Sequence, residues 1–331
     1  MDELKKDLKS KSYKRMYLLF GEENYLKNYY RSKFEDNILE EAFKMMNLDT
    51  FESKATSAQS IIDSAYTAPF MSDHRLIIIK DSGLFATGRK DDTEKLAISL
   101  SDIPISSIII FIEESVDKRN KLYKEVSKIG FPAELKIPKE IELVKWVVEL
   151  FKKGEKTISR DCAMTLLRTV TYDMDTIVLE VDKLINYKGD TKEITEEDIK
   201  SVCTKSLDAK IFELVKAVGE KNLEKSLDIY SNLIVMKEQP LMILAMIARQ
   251  FRLMVQCKDL AAKGNNVDNI ATKLGIRGFV VRDCIKQGEK FKFSTLISAI
   301  NECLEIDLNI KTGKTNAKLA VEIFLIKYSK V

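Results

Sequence analysis

Histidine, tryptophan, proline and glycine are scarce: one, one, five and twelve residues respectively in a chain of 331. A single histidine, His74, excludes a multi-histidine metal centre and obliges any Ser-His-Asp triad or Cys-His pair to form around that one position. It stands in SDHR just before an apolar run, the context of a solvated turn residue. Glycine and proline fall below their ordinary usage of about 7% and 5%, which argues against turn-rich β architecture and for long helices. An excess of either charge is also missing. The 54 basic and 51 acidic side chains leave a net charge of +3, too little to draw the whole chain onto nucleic acid or an anionic membrane. Only 11 of the basic residues are arginine, the side chain with a planar fork for phosphate or guanine, so sequence-specific base reading is not indicated.

The five cysteines (Cys162, Cys203, Cys257, Cys284, Cys303) stand singly on helix-patterned segments, with no C-x-x-C pair and no secretory pattern. They read as reduced structural cysteines of a cytoplasmic protein. No apolar run approaches the roughly 18 residues of a membrane span; LMILAMIA (Leu241 to Ala248) soon meets Arg249 and Arg252 and reads as a core helix.

Up to residue 138, strand-like and helix-like stretches alternate. The strands read MYLLF, MMNLDTF, RLIIIK, SSIIIFI and AELKI, separated by helices from about Asn24 to Phe43 and around Ile61, Leu96 and Leu122. Five strands with intervening helices predict a parallel sheet covered on both faces. Pro132 and Pro138 bracket the fifth strand, and the β signal then disappears. Residues 139–205 read as a small helical domain, with Ser159 as an N-cap and Thr195 with Asp198 as a capping-box-like start of ITEEDIKSVC. Residues 206–331 read as a bundle of longer helices, one of them starting at Pro240. The predicted fold is thus an α/β domain at 1–138 followed by two all-α domains.

Two stretches invite a phosphate-binding reading. TGKT (Thr312 to Thr315) matches the end of G-x-x-x-x-G-K-[ST], but Leu308 stands where the first glycine belongs, and the segment before Gly313 is helical in period. YLLFGEENYL (Tyr17 to Leu26) has the right context, a strand, a glycine and a helix start. From Gly21 the register puts Lys27 at the lysine position, Leu26 at the second glycine and Asn28 at the magnesium-binding hydroxyl. Leu26 blocks backbone approach to a phosphate, and Asn28 is a poor magnesium ligand. Glu22 and Glu23 place carboxylates where an anion would sit at a helix N-terminus. The third strand ends in Lys80 and Asp81, weak support for hydrolysis, and the pair Glu113 and Glu114 has no metal-ligand spacing.

Five blocks in order across about 310 residues carry a resemblance: YLLFGEENYL, PFMSDHRLIIIKD, QPLMILAMIARQFRLMVQCKDL, ATKLGIRGFVVRDC, and DLNIKTGK with LAVEIFLIKY. The chain resembles the delta subunit family of the bacterial DNA polymerase III clamp loader. The resemblance implies an AAA+-like α/β domain with a degenerate P-loop at Gly21, Leu26, Lys27 and Asn28, then a small helical lid, then a helical collar. It implies no cofactor and a non-catalytic subunit of a DNA-directed DNA polymerase (nucleotidyltransferase) holoenzyme. Its implied partners are the beta sliding clamp, gamma/tau and delta-prime type subunits in a five-subunit arc, and primed DNA through that assembly. The gripping element of the family falls here on TSAQSIIDSAYTAPFMSDHR, making Phe70, flanked by Pro69 and Met71, the residue expected to enter a clamp pocket. From the sequence alone, packing of Phe70 at its own sheet edge is the favoured reading; the resemblance shifts the preference to the clamp. Where some members carry Leu-Phe, this chain has Pro69-Phe70. Arg249, Arg252, Lys258 and Lys311, in the collar blocks, are candidates for subunit or DNA contact, with solvated helix faces the competing explanation. An AAA+-type ATPase with an unusual site at Gly21 and Lys27 remains the alternative from another class, and a generic helical scaffold a third.

Overall fold

The computed structural model describes residues 2–53, 55–170 and 173–330. The chain divides into two compact units between Ile137 and Pro138.

The first unit opens with a short amphipathic helix absent from the sequence reading, α1 (Asp2–Ser10), and then alternates. Its elements are β1 (Met16–Phe20), α2 (Asn24–Ile38), α3 (Lys44–Asn47), β2 (Leu48–Glu52), α4 (Ala58–Tyr66), β3 (Arg75–Lys80), α5 (Lys90–Ser99), β4 (Ser107–Glu113), α6 (Lys121–Ile129) and β5 (Phe131–Glu134). All five strands are parallel, in the order β2-β3-β4-β1-β5. MYLLF and SIIIFIE are buried along their whole length, as central strands covered by helices on both faces must be. One core joins Met16, Leu18, Ile77, Ile79, Ile109 and Phe111 to Ile61 of α4, Leu96 of α5 and Val126 of α6.

Three expected boundaries move. The helix read as reaching Phe43 stops at Ile38, where Leu39 takes an extended conformation, and a short 3-10 turn covers Glu41–Phe43. MMN belongs to α3 and not to the second strand, which starts at Leu48. The fifth strand lies at Phe131–Glu134, two residues early, so Pro132 sits inside it instead of before it. An edge strand has a side without a neighbour, so the missing N–H of a proline there breaks no ladder.

The second unit contains α7 (Glu140–Lys153), β6 (Thr157–Ile158), α8 (Arg160–Thr169), α9 (Met174–Lys188), β7 (Glu193–Ile194) and α10 (Glu196–Val202). Seven further helices follow: α11 (Leu207–Gly219), α12 (Leu223–Val235), α13 (Pro240–Ala262), α14 (Val267–Leu274), α15 (Gly278–Gly288), α16 (Phe293–Lys311) and α17 (Ala317–Lys330). The region read as wholly helical therefore carries one parallel bridge, β6 with β7. Two residues per strand are too few to leave a periodic signal. The expected caps form: Ser159 accepts from Cys162 N–H, and Thr195 and Asp198 make a reciprocal capping box. Gly313 follows the end of α16 with φ +72°, which fits a helix stop and not a phosphate loop.

By length and composition α13 could cross a membrane, unlike the shorter run read from the sequence. In the fold its buried residues Ile243, Leu244, Ile247, Phe251, Met254 and Cys257 recur at helical spacing as the centre of the second unit's core. The Phe251 ring meets those of Phe291 and Phe324 at 5.7 and 6.2 Å.

Candidate functional site

In the order β2-β3-β4-β1-β5, the chain leaves β1 towards one side of the sheet and β4 towards the other. The crevice beyond the carboxyl ends of β1 and β4 is thus the switch point where an open α/β sheet takes its ligand. Here the turn that leads from β1 into that crevice is bonded to the protein's own groups. Gly21 has φ +123°, and a Cβ on it would lie 2.4 Å from the Leu135 carbonyl oxygen, so the turn is pressed against the end of β5. The Gly21 N–H donates to the Glu114 carbonyl and the Glu23 N–H to the Leu135 carbonyl, each at 3.2 Å. Both amides are thereby engaged where a phosphate cradle would leave them open.

Each residue of the expected degenerate loop has a definite place. Leu26 is buried in the core and Asn28 is exposed on α2. Lys27 is buried, and its Nζ donates to the Gly21 carbonyl at 2.8 Å and towards the Glu113 carbonyl at 3.3 Å. Burial lowers its pKa against the opposing pull of Asp81 and Glu114. The Glu23 carboxylate caps α2, accepting from the Tyr25 N–H at 3.1 Å. Glu113 is also buried: its Oε1 accepts from the Ser82 N–H at 3.0 Å and the Ser82 hydroxyl at 2.5 Å, tying the end of β3 to β4. Burial raises this carboxyl's pKa, with the Ser82 bonds opposing. Among the described residues no group of three His, Cys, Asp or Glu could hold a metal ion.

The second candidate lies between α4 and β3. Phe70 is 49% exposed and Met71 beside it more so, while Pro69 is half-buried. Phe70 thus stands out from its sheet edge, with the Phe43 ring 6.5 Å away edge to face. Met71 turns the chain with φ +50°. One buried residue holds the tip. Asn47 Oδ1 accepts from the Phe70 N–H at 2.7 Å, and its Nδ2 donates to the Phe70 carbonyl at 2.9 Å and the Phe43 carbonyl at 3.1 Å. Met45, 97% exposed, and Met46 lie on the same short helix as Asn47. Sequence reasoning missed Asn47 because MMN had been read into a strand; the long gap from Asn47 to Phe70 leaves no local signature. His74, expected to be solvated, is half-buried and packs edge-on to Tyr13 at 6.0 Å.

The four basic candidates of the second unit differ in setting. Lys258 donates to the carbonyls of Gly288 at 2.9 Å and Phe291 at 2.8 Å, so its ammonium closes the end of α15. Arg249 pairs with Asp208 at 3.1 Å and Lys311 with Asp307 at 2.8 Å, both at the surface, and Arg252 is exposed. Exposed surface pairs of this kind are worth about 0–1 kcal/mol and break readily for another anion. Leu304, Leu308 and Ile323 are exposed on α16 and α17.

Comparisons with known proteins bear on both units. A family model described as "DNA polymerase III, delta subunit" matches residues 17–132, and "DNA polymerase III delta subunit, C-terminal domain" matches residues 208–328. DNA polymerase III subunit delta of Bacillus subtilis is 31% identical over 98% of this chain and 96% of its own length. A probable DNA polymerase III subunit delta of Aquifex aeolicus is 24% identical over 80% of this chain and 76% of its own. The solved structure of the Bacillus subtilis DNA clamp loader delta protein superposes with a TM-score of 0.72 at 30% identity, covering 100% of this chain and 99% of that one.

Proposed function

The chain belongs to the DNA polymerase III delta subunit family, and on that premise we propose that it binds a sliding clamp through Phe70 and holds one interface of the ring open for loading onto primed DNA. The observation that carries this reading is a half-exposed phenylalanine on an irregular segment whose backbone is fixed from beneath by a buried side chain. Full burial of a phenylalanine yields about 1.5–3 kcal/mol. With half its surface already covered, docking of Phe70 gains about 1 kcal/mol or a little more. That suits one anchor of an interface and is too little to break a ring by itself. Phe70 acts by holding a ring conformation that the closed ring excludes.

The subunit works without an active site of its own. The occupied turn at Gly21, Glu23 and Lys27 supports this over an ATPase with an unusual nucleotide site, because an incoming triphosphate would have to displace hydrogen bonds that tie the turn to the residues just past the strand ends. Energy for the cycle comes from nucleotide bound to gamma/tau-type subunits, which together with a delta-prime-type subunit complete a five-membered arc. Contacts in that arc use the collar, residues 206–331, where Leu304, Leu308 and Ile323 are exposed, as are Arg249, Arg252 and Lys311. Residues 139–205 form the lid. The continuous buried core built from residues 211–328 supports a boundary near 205.

The test is association of the full chain with its cognate sliding clamp. Phe70→Ala is expected to weaken binding about tenfold, following from about 1.4 kcal/mol per decade. Absence of binding by the wild type would remove the proposal, and unchanged binding by the variant would move the grip elsewhere on the first unit.

A further inference from the structure

A half-exposed aromatic on an irregular segment makes a good anchor only if the segment is already in its binding conformation, since ordering it on contact subtracts from affinity. Residues 67–74 contain no helix or strand, and the two main-chain polar groups of Phe70 are both taken by Asn47. The geometry is that of a ladder rung. One side-chain amide presents an acceptor to the Phe70 N–H and a donor to the Phe70 carbonyl, as a neighbouring strand would. Asn47 is fully buried, and its remaining donor bond reaches the Phe43 carbonyl, where the 3-10 turn meets α3. Its own position is fixed from the sheet. Arg75 at the start of β3 donates to the Met46 carbonyl at 2.9 Å and pairs with Asp49 at 2.5 Å, and Ser64 of α4 bonds the same carboxylate. The chain of contacts thus runs from the sheet through Arg75 and Asp49 to α3, and from Asn47 to the tip.

We infer that Asn47 is a positioning residue for the clamp-binding tip: it fixes the backbone of Phe70 before contact, so the aromatic ring docks without first having to order its segment. This rests on the clamp-binding reading above. A residue that merely stabilises the fold would weaken every activity of the unit alike; a positioning residue acts only through the ring it presents.

The experiment is a double-mutant cycle on the full chain, read as affinity for the cognate sliding clamp, with amide hydrogen exchange of the free wild-type protein beside it. Asn47→Ala is expected to weaken binding roughly tenfold, the equivalent of freeing about one residue's backbone. The same substitution in a Phe70→Ala background is expected to have almost no further effect. The Phe70 amide is expected to exchange far more slowly than those of Met71 and Ser72, a measurement that needs no variant and stands even if Asn47→Ala does not fold. An equal loss in both backgrounds, wild-type affinity in Asn47→Ala, or an unprotected Phe70 amide would each overturn the role. Failure of the wild type to bind the clamp removes the function and this role together, whereas binding by the wild type with Asn47→Ala unaffected removes this role alone.

Discussion

Glu113 shows how a carboxylate in a promising crevice can be structural. It is sealed at the ends of β3 and β4 and bonded to Ser82, and burial holds its pKa above the usual carboxyl value. Between the unfolded value of about 4.3 and the higher folded value, the folded chain holds more protons than the unfolded one, so Glu113's contribution to stability falls as pH rises. That contribution is fully present below about pH 4.3 and lost once pH passes the folded pKa. Glu113→Gln keeps an acceptor for Ser82 and removes the titration. Urea unfolding of both proteins across the acidic and neutral range should show the variant gaining on the wild type as pH rises through this window, with a constant difference above it. Sequence could place the pair Glu113 and Glu114 after an apolar strand; it could not show that Glu113 turns inward to Ser82, 31 positions earlier.

Among the elements, strands buried on both faces were legible and edges were not. RLIIIK and SSIIIFI appear within a residue of where the pattern puts them, because continuous β-branched runs have one good home in a covered parallel sheet. Edge strands are half-buried and mixed in composition, so β2 lost its first residues to α3 and β5 shifted across Pro132. Caps were legible because their logic is local. Thr195 and Asp198 bond each other's backbone N–H, at 2.7 Å from Thr195 and 3.4 Å from Asp198, at the head of the short helix α10. Thr195→Ala should cost about 1 kcal/mol, while Thr195→Ser should cost much less. In a unit of this size that corresponds to a melting temperature lower by about 2–4 °C, measurable by calorimetry.

At the scale of the whole molecule, the division at Ile137 and Pro138 separates a sheet unit carrying the clamp-binding candidate from a helical unit. The isolated chain is expected to show no saturable magnesium-dependent ATP binding by equilibrium titration, and binding at micromolar nucleotide would restore the ATPase reading. The defects at Leu26 and Asn28 were readable one residue at a time. The engagement of the turn's amides was not, because their partners Glu114 and Leu135 lie just past the ends of two other strands, far along the chain.

That engagement means that the letters of the motif and an open phosphate cradle are separate requirements. Replacing Leu26 by glycine and Asn28 by threonine would restore the letters of a phosphate loop while leaving Gly21 and Glu23 bonded to their carbonyls and Lys27 turned inward. A lineage that had closed its pocket this way could regain the motif by two substitutions and still lack the pocket. Asn28 is exposed and can change freely, whereas Leu26 is buried in the core, so glycine there would cost packing without opening a pocket.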